Sequence, residues 1–286
     1  MNYHLITSIN EIKESISKIK QHTNTSVSNL FISDDKLNLF ISNQLLYSFQ
    51  TDKSVFFYLK LHNYFKLYYI SHSYEDLYKD LLHLPMPETV ITCEILGRDN
   101  LENEQKILQQ CGFKERGKQI HITKNIKQNT YKDYKFPDCI SFASMENYEE
   151  IKKLIYSIFD NYLDLSITDA ELKYYIQNQT VLKLMVNGKL AGIAVYDIKG
   201  IRIYGILLGV LPEYKGSAYS MILCAVSANL LDIYKTPKLF MGYVREDNPL
   251  ILNYYKRMKF QEDGLKSIIF YKENGDIIVD ELKLLN

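Results

Sequence analysis

Tryptophan is absent from this 286-residue chain, net charge is absent, and the four cysteines are never paired in sequence. Each absence removes a class of function. Cys93, Cys111, Cys139 and Cys224 form no C-x-x-C unit and have no histidine at zinc-ligand spacing, so neither a zinc ribbon nor a disulfide framework is expected, and no metal. They read as reduced, mostly buried thiols. Thirty-four basic residues balance thirty-four acidic ones, which leaves no electrostatic footprint for nucleic acid. No apolar run approaches the ~20 residues that cross a bilayer. The N-terminus, M-N-Y-H-L-I-T-S-I-N-E-I-K, lacks the basic stretch and apolar core of a secretory signal. A cytoplasmic protein with neither a nucleic-acid nor a membrane partner is expected.

What the chain has is length and apolar content. Hydrophobic residues make up 47% of it, ample for two cores, and the length favours two domains over one. The 24 tyrosines, beside abundant Lys, Asn and Ile, reflect a coding bias more than an aromatic surface. Only those placed at a site by position carry weight.

Ile9, Ile12, Ile16 and Ile19 recur at helical spacing behind Ser8 and Glu11, a capping box, and predict an amphipathic helix. The runs N-L-F-I-S and L-N-L-F-I-S, separated by Asp34-Asp35-Lys36, read as strands, as do Q-L-L-Y-S-F, S-V-F-F-Y-L-K-L and K-L-Y-Y-I-S. Helices are predicted over 74–84, ended by Pro85 and Pro87, and over 101–111, with a strand over 89–96 between them. The order then repeats: a strand over 140–143, helices over 147–159 and from about Asp169 to Gln177, and a hairpin turning at Asn187-Gly188. The repeat is visible in letters too. R-D-N-L-E-N-E-Q-K-I-L-Q-Q-C-G-F-K-E-R-G, from Arg98, parallels R-E-D-N-P-L-I-L-N-Y-Y-K-R-M-K-F-Q-E-D-G, from Arg245, each running from Asp-Asn through a helix to F-x-E-x-G or its near equivalent. The mixed α/β (α+β) chain is therefore expected to hold two lobes of one fold, residues 1–125 and 138–286, joined by a polar linker at 126–137.

The second lobe carries the chemistry. The apolar strand I-R-I-Y-G-I-L-L-G-V runs into L-P-E-Y-K-G-S-A-Y-S and opens a helix, so free backbone N–H groups and the positive helix end gather at one turn. That is an anion seat. Further on, D-N-P-L-I-L-N-Y-Y-K-R-M-K-F places Asn248 seven residues before Tyr255. In this order, on these elements, the two segments resemble the acyl-CoA pyrophosphate loop and the following tyrosine-bearing helix of the GNAT-type N-acyltransferase superfamily, and the resemblance extends over roughly 140–272.

The resemblance implies two GNAT-like lobes, each a mostly antiparallel sheet flanked by helices, and acetyl-CoA or another acyl-CoA as cofactor. The backbone N–H groups of Lys215, Gly216, Ser217, Ala218 and Tyr219, with Ser220 beside them, would hold the pyrophosphate. The edge Leu208, Gly209 and Val210 would pair with the pantetheine arm through an opening between this strand and the strand 239–244. Asn248 would contact the cofactor or order its helix, and Tyr255 would be the general acid. The family's second glycine is Ala218 here, a frequent third is Ser220, and Lys259 replaces the glycine before Phe260. No glutamate lies on the strand before the loop, where Arg202 and Tyr204 are the only ionisable groups. The base stays open among Glu246, Asp197 and a water chain. Tyr162, Tyr174, Tyr175 and Tyr204 are expected to line the acceptor pocket.

In the first lobe the loop position reads Y-Y-I-S-H-S-Y-E-D-L, without glycine, and Leu108 stands where Tyr255 stands. That lobe is expected to complete the sheet or cover the acceptor side, with His72 a surface residue. The whole then implies an acetyltransferase acting on a small-molecule amine, as a monomer or homodimer. The alternatives are a non-catalytic acyl-CoA sensor and a protein or peptide N-acetyltransferase.

Overall fold

The computed structural model describes residues 3–21, 26–99, 101–125, 136–164, 167–229 and 239–273. The linker expected at 126–137 lies almost wholly outside them. The chain forms two compact units: one gathers the residues up to Lys118, a short stretch around 166–170 and Lys266 onward; the other holds Gln119–Leu165 and Glu171–Leu265.

Unit one contains β1 (His4–Leu5), α1 (Ile9–Gln21), β2 (Val27–Ser28), α2 (Asp34–Ser42), β3 (Leu46–Gln50), β4 (Ser54–Lys60), β5 (Tyr64–Ser71), α3 (Tyr74–Leu82), β6 (Val90–Gly97) and α4 (Glu102–Gln110). Its sheet runs β1-β3-β4-β5-β6, with β2 on β5. Beside β6, antiparallel to it, lies the Lys266–Lys272 part of β13 (Gln261–Lys272). Among the described residues only β5 and β6 pair in parallel, in register from Tyr64↔Val90 to Leu67↔Cys93. The unbroken apolar run of β4 follows from burial of both faces. Phe56 and Tyr58 enter a core with Leu77, Leu81 and Leu108 of α3 and α4, while Val55, Phe57 and Leu59 enter a second with Ile12, Ile19, Leu37 and Phe40 of α1 and α2.

One expectation is corrected here. Residues 37–42, read as a strand, lie in α2, and 29–33 form no strand, the nearest one being the two-residue β2. Leu37 and Phe40 are buried and Ile41 partly so, an i, i+3, i+4 face, and Asp34 and Asp35 occupy the first turn, where acidic groups complement the helix dipole. The helical pattern outweighs the β-propensity of its letters.

Unit two takes Gln119–Asn125 of β7 (Lys114–Asn125), which pairs with the strand Leu239–Arg245. It continues with β8 (Ile140–Phe142), α5 (Tyr148–Ile158), α6 (Asp169–Gln177, from Glu171 on), β9 (Val181–Val186), β10 (Lys189–Lys199), β11 (Arg202–Val210), α7 (Ala218–Asn229), β12 (Leu239–Arg245) and α8 (Pro249–Arg257). The strand order is β7-β12-β11-β10-β9-β8. Again one pair is parallel, β11 with β12, from Arg202↔Leu239 to Gly205↔Gly242. Leu182, Leu184, Ala194, Tyr196, Ile203, Leu223, Val226, Phe240 and Phe260 form its core. In each unit, then, one four-residue parallel pair sits in an otherwise antiparallel sheet, the structural counterpart of the repeated letters.

The repeat extends to helix ends. α4 closes with Phe113 N–H donating to Leu108 O (2.9 Å) and Gly112 at φ +86°. α8 closes with Phe260 N–H donating to Tyr255 O (2.9 Å), but with Lys259 at φ +63°. A side chain in the left-handed region costs about 1–2 kcal/mol that glycine avoids. Lys259→Gly is therefore expected to stabilise the protein by about 1 kcal/mol, partly offset by the freer unfolded glycine, as a rise in the urea midpoint at unchanged slope. A lower midpoint would show that Lys259 makes contacts outweighing its strain.

Candidate acyl-CoA site

β11 is paired on both sides only in its first half. Beyond Gly205↔Gly242 its pairing with β12 stops, while β12 remains paired with β7 as far as Arg245↔Gln119. At the same point the β10 register slips, Val195↔Leu207 being followed by Tyr196↔Gly205, so Ile206 is an extra residue in β11. Such a bulge increases local twist and re-aims the strand. The two strands part here. Among the described residues, the Ile206–Val210 edge facing the gap has no strand partner, and its outward N–H and C=O groups are left for another chain or a ligand. Leu208, Gly209 and Val210 all lie on this free stretch. On Gly209 a Cβ would come within 2.8 Å of Phe159 Cζ and 2.9 Å of Ile158 Cδ1, so the end of α5 packs directly on the backbone there.

The strand leads into a 3-10 turn, Pro212–Tyr214, then Gly216 and α7. Tyr214 and Tyr219 brace the turn with rings 5.8 Å apart, edge to face. Lys215 N–H donates to Pro212 O (3.1 Å) and Ser217 N–H to Tyr214 O (3.2 Å), and the Ser217 hydroxyl donates to Tyr214 O (2.6 Å). These two amides hold the turn together. The first helical bond runs from Met221 N–H to Ser217 O. Ahead of it the amides of Gly216, Ala218, Tyr219 and Ser220 have no protein acceptor among the described residues, as a helix start without a side-chain cap requires. The Ser220 hydroxyl donates back to Ser217 O (2.8 Å). Gly216 is at φ +73°, and an added Cβ there would meet nothing within 4 Å. Its role is conformational: only a residue tolerant of that φ turns the chain into α7 with the amides facing outward. Lys215 is exposed beside the turn, and no acidic residue lies in the first turn of α7.

Asn248 caps α8. Its Oδ1 accepts from Ile251 N–H at 3.2 Å, and Pro249 occupies the first helical position, a start that needs no further donor. Tyr255, two turns on, is half-buried; its ring stands 4.9 Å from Phe260 and 5.7 Å from Tyr254. Burial pushes its phenol well above the usual range, with Cys224 of α7 and Tyr254 adding to the effect. Burial likewise takes the Cys224 thiol to about 11. Tyr255 also lines a cavity of about 400 Å³ with Ile122, Leu252, Lys256, Phe260, Gln261 and Glu262. None of the turn residues lines that cavity. The loop and Tyr255 are linked instead through α7, whose Cys224 lies near the phenol.

The four tyrosines expected on the acceptor side lie on three segments. Tyr204 is on the paired half of β11, opposite Asp197, where its hydroxyl accepts from Arg202 Nη1 at 3.4 Å, roughly 13 Å along the strand from Leu208 at ~3.3 Å per residue. Tyr175 is buried and Tyr174 exposed, their rings 5.8 Å apart. Tyr162 follows the end of α5, its N–H bonded to Asp160 Oδ1 (2.9 Å). Asp197 is buried, 3.6 Å from Lys199, and Glu246 is exposed.

Sequence reading missed a polar cluster at the end of β12. Arg245 donates to both carboxylate oxygens of Asp247 (2.9 and 2.7 Å) and comes within 3.6 Å of Asp164. Asp164 accepts from Asp160 N–H at 3.0 Å, and burial raises its carboxyl above the ordinary range. The signal was the pair of aspartates four apart in D-N-Y-L-D, which forms its own turn through Asp160.

No protein-family sequence model matches the chain, and no curated protein does. Solved structures do. The chain is similar to a GCN5-related N-acetyltransferase from Sphaerobacter thermophilus (TM-score 0.55, 12% identity, 92% of this chain and 91% of that one). It is similar to a tandem GNAT protein from the clavulanic acid biosynthesis pathway (0.53, 11%, 96% and 98%). It also resembles the GCN5-related glucosamine N-acetyltransferase region of a fungal multi-domain beta-N-acetylglucosaminidase (0.58, 12%, 92% of this chain and 36% of that one). The fold is that of the GNAT acetyltransferases. More particularly, it consists of two GNAT-like lobes, as the match along almost the whole tandem protein requires.

Proposed function

We propose that unit two binds acetyl-CoA, or another acyl-CoA, and transfers its acyl group to an amine of a small molecule. One observation carries this reading: a strand edge with no strand partner among the described residues runs directly into a helix start whose amides have no protein acceptor among them. The Ile206–Val210 edge fits an extended amide-bearing arm, and the Gly216, Ala218, Tyr219 and Ser220 amides fit a pyrophosphate. Bound there, acyl-CoA supplies an activated thioester. The chain supplies the rest. Asn248 fixes the start of α8 and so the place of Tyr255, whose buried phenol keeps its proton at neutral pH and is available as a general acid. Asp164 is, in unit two, the carboxylate that burial raises among the described residues, and the segment bearing it starts against Gly209 and ends beside Arg245. We assign it as the group that takes the proton of an incoming amine.

The lack of a carboxylate on β11 favours a second reading, an acyl-CoA sensor without turnover. A panel of small amines and peptide N-termini, screened with acetyl-CoA for release of free thiol, separates the two. Release with at least one amine is expected. Tight acetyl-CoA binding without release from any acceptor would leave the sensor, and no binding at all would remove both.

A further inference from the structure

Unit one contains the same parting of strands as unit two, and it is filled. Pairing of β5 with β6 stops at Leu67↔Cys93, as that of β11 with β12 stops at Gly205↔Gly242. Beyond it the β5 edge is taken by the chain's own residues 27–29. Val27 pairs with Ser71 and Ser28 with Ile70. Asn29 then enters the gap, buried to 3% exposure. Its backbone N–H donates to Tyr69 O (3.3 Å) and its Oδ1 accepts from Tyr69 N–H (2.6 Å). Its Nδ2 donates to Leu67 O (3.2 Å) on one strand and to Glu94 O (2.9 Å) on the other. One side-chain amide thus ties both parted strands and satisfies the backbone groups that the opening leaves unpaired.

The turn beyond the gap is closed as well. Where α7 starts with free amides, α3 starts with Ser73, whose Oγ accepts from Asp76 N–H at 3.1 Å, and the first turn carries Glu75 and Asp76. A self-capped, acidic helix start repels an anion. In place of Tyr255 stands Leu108, fully buried.

We propose that residues 27–29 are a built-in occupant of the acyl-CoA slot of unit one, an internal strand doing there what the pantetheine arm would do in unit two, so that the chain takes up one acyl-CoA and not two. The stoichiometry rests on the reading of unit two given above; the occupancy of the slot by Asn29 does not. Two measurements keep them apart. Calorimetry with acetyl-CoA is expected to give one equivalent per chain, lost entirely in Gly216→Glu; two equivalents, or one that survives this substitution, would overturn the proposal. Amide hydrogen exchange on the protein alone is expected to show Tyr69 N–H strongly protected, unchanged by acetyl-CoA, and exchanging at least about tenfold faster in Asn29→Ala, or in Asn29→Ser should the alanine variant not fold. A Tyr69 amide that exchanges freely in the unmodified protein, or gains protection only with acetyl-CoA, would mean the slot is open. Absence of any acetyl-CoA uptake with Tyr69 still protected would remove the function proposed for unit two and leave the occupied slot standing.

Discussion

Replacing Gly216 with glutamate is expected to abolish acetyl-CoA binding while leaving the fold intact. Two effects act on binding and one on folding. The residue sits at φ +73°, so any side chain costs about 1–2 kcal/mol to hold the turn that faces the amides outward. A carboxylate there also opposes the pyrophosphate charge, by about 1 kcal/mol for each unit pair at 4 Å in water and about 4 at the effective dielectric of a protein surface. Together they exceed about 3 kcal/mol, a loss of more than a hundredfold at 1.4 kcal/mol per decade. For folding the balance differs. An acidic residue at the start of α7 gains about 0.3–1 kcal/mol from the helix dipole, which offsets part of the strain, and the new Cβ meets nothing within 4 Å. Gly216→Ala separates the contributions, since it carries the strain without the charge and should lose about five- to thirtyfold. A calorimetric affinity for acetyl-CoA within about twofold of the unmodified protein in Gly216→Glu would show that this turn is not the phosphate seat.

The two units show how one scaffold is kept while its site is removed. Both retain the parallel pair, the parting of strands beyond it, and a helix closed by a bond five residues back to the position of Leu108 or Tyr255. What differs is small in sequence. Where unit two has Gly216 and Ala218, unit one has His72, Ser73 and two acids; where unit two has Tyr255, unit one has Leu108; and a two-residue strand followed by Asn29 closes one of the two gaps. None of these changes disturbs a core, which is why the fold survives them.

The legible parts were those written in local pattern. The Asn187-Gly188 hairpin, the isoleucine face of α1, the strand-turn-helix around Gly216 and the cap at Asn248 each need only neighbouring residues, and each stands as read. The parting of β11 from β12, expected from the resemblance, coincides with Gly205 and Gly242 and the bulge at Ile206. Failures came where distant packing decides. Leu37–Ser42 has the letters of a strand and the burial of a helix. No local signal places Lys266–Lys272 beside β6, because the pairing is set by Ile268 and Phe270 entering a core built from residues far back in the chain. Asn29 was unreadable for the same reason: an asparagine in an apolar run marks a turn as readily as a buried bridge, and only the strand it bridges tells them apart. The acceptor tyrosines were placed by helix and strand alone, and chain position says nothing of whether a ring faces core or solvent, as neighbours Tyr174 and Tyr175 illustrate.

Tyr255→Phe should lower turnover by about a hundredfold to ten-thousandfold, the usual span for removal of a general acid, with acetyl-CoA affinity changed no more than a few-fold. The ring remains packed edge-on against Phe260 at 4.9 Å and within the same core, so what is removed is one hydroxyl and its proton. A proton delivered only as the leaving group departs contributes to the transition state and not to ground-state binding, hence the expected split between kcat and affinity. The pH behaviour gives an independent check. Burial, then Cys224 and Tyr254, raise the phenol in the folded protein above the ordinary tyrosine value of about 10. A group raised on folding contributes stability that is complete below its unfolded pKa and is lost as pH rises beyond it. The unmodified protein should therefore lose stability above about pH 10 more steeply than Tyr255→Phe, in which that titration is gone, while Tyr255 stays a proton donor throughout the neutral range. If kcat were unchanged in Tyr255→Phe, or fell in step with acetyl-CoA affinity, the tyrosine would be a packing residue of α8, and the proton for the leaving group would have to come from elsewhere in unit two.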